Sequence, residues 1–121
     1  VTISFFPDGY SPMPPDETEI EELEVVVYPD RIRVFVHCVV TPFQQRPNLL
    51  ITATRDDGRI RSELNIIETM HHDMEFTMHL RTNGLDPAGE YTLSAELFFE
   101  TRVPAQSTRT ARFSVPASDA L

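Results

Sequence analysis

The chain contains no tryptophan and no lysine, one cysteine and only four glycines. Each scarcity removes a class of function. A lone Cys38 can form neither an internal disulfide nor a cysteine-rich zinc site. So few glycines leave no Gly-x-x-x-x-Gly-Lys loop to cradle a phosphate, no dinucleotide turn and no Gly-x-Ser-x-Gly nucleophile elbow. Without Trp the aromatic platform on which a sugar ring stacks is missing, so neither a glycosidase nor a carbohydrate-binding sandwich has an anchor. No apolar run approaches the ~20 residues that span a bilayer, and no charged-then-apolar leader opens the chain, so no membrane insertion is expected. Positive charge is missing from the first thirty residues, because all ten basic residues are arginines at or beyond Arg31. Eight acids stand there instead, from Asp8 to Asp30, and they carry nearly all of the net charge of −9. Nucleic acid and anionic membrane both need clustered cations and are excluded as main partners.

What is present fits one core. A chain of 121 residues, 40% hydrophobic and 24% charged, is globular in composition and too short for a second core. Pro7, Pro12, Pro14 and Pro15 cannot donate backbone hydrogen bonds, which predicts an extended acidic arm over residues 1–19, with a short strand as one reading of residues 1–6. The acids near Pro15 would also favour a helix start there. From Ile20 onward, turn residues recur at intervals typical of a sheet protein: Tyr28-Pro-Asp30, Arg46-Pro-Asn48, Asp56-Asp-Gly58, Asn83-Gly84, Pro104. Between them apolar residues alternate with period two. Leu23, Val25 and Val27 share one face of a first strand, and Ile32, Val34, Val36, Cys38 and Val40 one face of a second. Leu49–Arg55 and Arg59–Ile66 read as a hairpin about Asp56-Asp-Gly58. Met74, Phe76, Met78 and Leu80 mark a fifth strand, Tyr91, Leu93, Ala95, Leu97 and Phe99 a sixth, and Ala111, Phe113 and Val115 a seventh. The expected fold class is an all-β, seven-stranded antiparallel sandwich over residues 20–116, followed by a tail at 117–121. Its expected core holds Ile32, Val34, Val36, Ile51, Phe76, Met78, Tyr91, Leu93, Leu97 and Phe113.

One local pattern has family meaning. Leu85-Asp-Pro-Ala-Gly-Glu-Tyr91 lies ahead of the sixth strand and resembles the tyrosine corner of immunoglobulin-like and fibronectin type III sandwiches. The resemblance implies that Leu85, Pro87 and Tyr91 fill the corner positions and that the Tyr91 hydroxyl bonds back to the loop backbone. Gly89 would permit the bend. The chain departs from both families in lacking a core Trp, and Leu93 stands where antibody-type domains carry a cysteine. The likeness is architectural and says little about activity.

Chemistry-bearing residues are sparse. His37 and His79 lie on strands expected to be antiparallel neighbours, and as cross-strand partners they would join Glu75 in a zinc-suited set, His37, Glu75 and His79. Against it, no His-x-x-x-His spacing is present, and histidines on a solvated sheet face are common. Alternation points Cys38 inward, where burial keeps a thiol inert. Asp56 and Asp57 set a turn, and Asp16–Glu24 lacks the converging loop that calcium needs. It reads as a solvated flank guarding an edge strand.

Outward-pointing Val26, Tyr28, Phe35 and Val39 make a candidate contact face, unless Phe5, Phe6 and Tyr10 fold back over it. The expected function is a non-catalytic interaction module that uses this face toward a protein partner or a second copy, with no cofactor. The alternative is a small metal- or ligand-binding protein using His37, Glu75 and His79. A chain beginning at Val1 and carrying one thiol leans cytoplasmic, although a secreted module cut from a longer chain would look the same.

Overall fold

The computed structural model describes residues 11–118. The strand read at 1–6 and the covering role of Phe5, Phe6 and Tyr10 lie outside the described residues. Seven strands follow in order: β1 Ile20–Val27, β2 Arg33–Val40, β3 Asn48–Arg55, β4 Ile60–Ile66, β5 Asp73–His79, β6 Gly89–Phe98 and β7 Ser107–Val115. They form two antiparallel sheets, β1-β2-β5 and β4-β3-β6-β7. The fourth strand extends the sheet of the third, whereas in the constant-type immunoglobulin order it would pair with the fifth.

Local chemistry explains the elements. Pro14 and Pro15 start a single 3-10 turn, Pro15–Glu17, closed by Glu17 N–H donating to Pro14 O at 3.0 Å and by Thr18 Oγ1 donating to the same carbonyl at 2.9 Å. The helix start suggested by the acids goes no further, because Ile20 and the β-branched run Val25–Val27 pack better on a pleated surface. At the β3–β4 turn, Gly58 takes φ +84° and donates to Arg55 O at 2.8 Å, while Asp57 Oδ1 accepts from Arg59 N–H.

The core fills the space between the sheets. Val34, Val36, Cys38 and Val40 from β2 meet Leu49, Ile51 and Ala53 from β3, and Tyr91, Leu93, Ala95 and Leu97 from β6, all without measurable solvent exposure. Met78 and Phe113 are buried as expected, and Phe76, on the edge strand β5, is half-buried against them. Ile32 departs from its expected core place and is 43% exposed. It belongs to the β1–β2 turn, where Asp30 Oδ1 accepts from the N–H groups of both Ile32 and Arg33 and Arg31 takes φ +67°, so inward alternation starts at Val34.

Candidate functional site

Two places gather polar and charged side chains: the corner end of the sandwich and the outer face of β1-β2-β5. At the corner, the Tyr91 hydroxyl donates to Pro87 O at 2.6 Å, as the resemblance implied. Its ring is fully buried and stacks on Phe113 with centroids 5.0 Å apart. The Arg55 guanidinium lies over the same ring and donates to the carbonyls of Asp86 and Ala88. Arg31 donates to the Asp86 carboxylate at 2.7 Å and to Pro116 O at 2.8 Å. The Ala88 N–H and the Arg31 guanidinium hold the Asp86 carboxyl below the usual carboxylate range. Burial pushes the Tyr91 phenol above its ordinary value. Leu85 does not take the packed place implied for it. It is 57% exposed, because Leu85 N–H closes a turn onto Thr82 O and the chain is gripped from the arginine side instead. Arg31 and Arg55 escaped sequence reading: a guanidinium's reach across strands leaves no local pattern.

The outer face of β1-β2-β5 is built row by row from its register. Glu24, His37 and Glu75 lie side by side on the three strands, with Glu22, Val39 and Asp73 in one neighbouring row and Val26, Phe35 and Thr77 in the other. A bulge between Ile20 and Glu22 places Glu22 and Glu24 on this face. His37 Nε2 meets Asp73 Oδ1 at 2.7 Å, and Nδ1 faces Glu24 Oε2 at 3.8 Å. The hydrogen bond to Asp73 raises the His37 pKa above its ordinary value, and the charges of Asp73, Glu24 and Glu22 reinforce it against desolvation.

The set His37, Glu75 and His79 does not assemble. Register pairs His37 with Glu75 but His79 with Arg33, four residues along β2, which is about 13 Å at strand rise. Alternation put both histidines outward correctly; only the register could separate them. Instead, Glu22, Glu24 and His37 each offer one ligand atom, all within 4.8 Å of one another. Cys38 is fully buried, and its surroundings push the thiol up to about 11, so it is protonated and unreactive.

The four apolar residues of the expected contact face do not form one patch. Val26 and Phe35 are cross-strand partners, but the Glu24-His37-Glu75 row separates them from Val39. Tyr28 is engaged from both sides, its ring under Arg33 at 4.7 Å and its hydroxyl 3.5 Å from Thr77 Oγ1. Two open depressions are lined by described residues. One, of about 410 Å³, includes Phe99, Glu100 and Gln106, and the other, of about 480 Å³, includes Tyr28 and Arg31. The first is lined by one carboxylate and the second by none.

No family model and no curated protein matches the chain. Solved structures do match. A glycosyl hydrolase family 2 member from Bacteroides cellulosilyticus is similar over 81% of this chain and 15% of its own, at 10% identity and TM-score 0.54. A β-glucuronidase from Bifidobacterium dentium is similar over 81% of this chain and 18% of its own, at 13% identity and TM-score 0.52. One from Ruminococcus gnavus is similar over 82% and 16%, at 10% identity and TM-score 0.54. The likeness is one of fold. These neighbours support a broad immunoglobulin-like sandwich, and this chain spans less than a fifth of the length of each. They overturn the expectation of a non-catalytic interaction module that acts by protein contact or self-association, and with it the alternative of a small metal- or ligand-binding protein. What resembles this chain is part of an enzyme polypeptide.

Proposed function

We propose that this chain is an accessory β-sandwich domain of a larger glycoside-hydrolysing enzyme, a structural part of the polypeptide that does not perform the chemistry. The observation that carries the reading is the asymmetry of coverage: the likeness takes in four-fifths of this chain but under a fifth of each glycosyl hydrolase. The site geometry supports it. Glycoside hydrolysis uses two carboxyl groups about 5–10 Å apart across a sugar-binding cleft. Neither depression supplies that pair, and Glu22, Glu24, Asp73 and Glu75 stand on an open sheet face. A sandwich whose core side chains are closely interlocked suits a rigid part that holds its neighbours in place. The finer likeness, to fibronectin type III domains in particular, is supported by Pro87 and Tyr91 at the corner.

The test is an assay of the purified 121-residue chain against a panel of aryl glycosides that includes a β-glucuronide. Turnover no faster than buffer is expected. Saturable hydrolysis that disappears when a surface carboxylate is replaced by its amide would overturn the reading.

A further inference from the structure

We infer that the corner end of the sandwich is the surface on which the part of the polypeptide that follows β7 packs, through exposed Ile32, Ile60 and Leu85 and two unpaired arginines, Arg59 and Arg81. The inference rests on the enzyme-domain reading and adds to it the face by which the domain is held. Two backbone hydrogen bonds gather these residues. Leu80 N–H donates to Ile32 O and Arg81 N–H to Arg61 O, both at 2.7 Å, so the chain after β5 closes the seam between the two sheets, with Ile32 to one side and Ile60 to the other. Asn83 and Gly84, at φ +52° and +84°, then make the turn that Leu85 N–H closes onto Thr82 O. All three aliphatic side chains are exposed, and none belongs to the core. Large apolar residues left in solvent around one seam mark a contact surface.

Charge says what the partner surface carries. The four acids in the turns at this end, Asp30, Asp56, Asp57 and Asp86, are each paired with an arginine: Arg33, Arg112, Arg61 and Arg31. Arg59 and Arg81 are left over, and among the described residues neither forms an ion pair. Arg61 adds to the surplus, because it is buried, pairs with Asp57 through Nη2 and leaves Nε without an acceptor among the described residues. In a chain of net charge −9, an end with cations to spare matches a surface that is apolar and bears carboxylates. The course of β7 says where that surface comes from. The strand runs toward this end, and Arg31 Nε donates to Pro116 O at 2.8 Å, so Pro116, Ala117 and Ser118 leave it along the depression lined by Tyr28 and Arg31. At the opposite end Ile67, Met70 and Val103 are also exposed, but Arg46 and Arg102 beside them are already paired with Glu68 and Glu96.

The experiment is amide hydrogen exchange on the 121-residue chain and on the full native polypeptide, read at residues 56–61 and 80–86. Both segments should exchange at least tenfold more slowly in the full polypeptide, where docking closes them off. The double variant Arg59→Glu/Arg81→Glu and the single variant Ile60→Asp, each made in the full polypeptide, should return both segments to the rate of the 121-residue chain. Arg59→Lys/Arg81→Lys should keep most of the protection. Circular dichroism of the same variants in the 121-residue chain checks that they fold; if Ile60→Asp does not, the double arginine variant decides alone. Equal exchange in the two forms, or protection that survives the charge reversal, would overturn the inference while leaving the enzyme-domain reading in place. If no polypeptide longer than the 121-residue chain carries the domain, that reading falls and the inference with it.

Discussion

The corner end and the outer face of β1-β2-β5 both set charge against a sheet, and they treat it in opposite ways. At the corner, Arg31 and Arg55 spend their donors on the 86–88 loop, on the Asp86 carboxylate and on Pro116 O, while Tyr91 is sealed beneath. On the face, exposed carboxylates surround one part-buried imidazole, which is hydrogen-bonded to Asp73 and faces Glu24 at 3.8 Å. The contrast separates charge that ties elements together from charge that is left exposed. Hydrogen bonds from Arg31, Arg55 and Tyr91 tie two sheets and a loop together, whereas the exposed Glu22 and Glu24 form no ion pair with an arginine among the described residues.

If that division holds, changes at the corner should cost stability and changes on the face should not. The largest loss is expected for Tyr91→Ala, which removes a fully buried ring from between β7 and the loop and should cost about 3–5 kcal/mol in denaturant unfolding. Tyr91→Phe keeps the stack on Phe113 but leaves Pro87 O without its donor, at about 1–3 kcal/mol. A loss within error would mean that the hydroxyl contributes nothing. Gly89→Ala comes next, at about 1–2 kcal/mol: the residue sits at φ +143°, and an added Cβ would lie 3.4 Å from Arg55 Nε.

On the face the expected effects are smaller and depend on pH. His37 binds its proton more tightly folded than unfolded, so its contribution is fully present below its unfolded pKa, near 6.5, and is lost as pH rises through the raised folded value. Thermal unfolding of wild type and His37→Gln, scanned from pH 5 to 9 in chelator, should differ most at the acid end and converge at the alkaline end. A gap that widens with pH would reverse the sign and contradict the Asp73 hydrogen bond. Val26→Thr, at a position 60% exposed, should stay within about 0.5 kcal/mol of wild type.

Much of the fold could be read from residues alone, because burial on one face of a strand leaves period two in the chain. Leu23 and Val25, Val34 to Val40, and Tyr91 to Leu97 all point where alternation sends them. Tyr91 is found by a motif because its partner, Pro87, is four residues away. Ile32 misled because it continues the alternation of β2 on paper while belonging to a turn shaped by Asp30. The site was less legible, for a physical reason. Alternation says which face a residue takes, but only register says which residues meet, and register separates His37 from His79 while bringing it to Glu24 and Asp73. Glu22 and Glu24 read as a solvated flank because nothing local tells a glutamate beside a histidine from one beside water. The missing Trp argued against a sugar platform, but it could not show that such a sandwich also occurs within glycosyl hydrolases.

That the domain belongs to a larger hydrolase, as proposed, is tested by the size of the native polypeptide that carries it. Antibodies raised against residues 11–118 would be used on extracts of the source cells under denaturing conditions, with glycoside hydrolysis followed through native fractionation. A band far above 13.8 kDa that co-fractionates with hydrolysis of an aryl glycoside is expected. A single species of about 13.8 kDa, separated from all such activity, would contradict it.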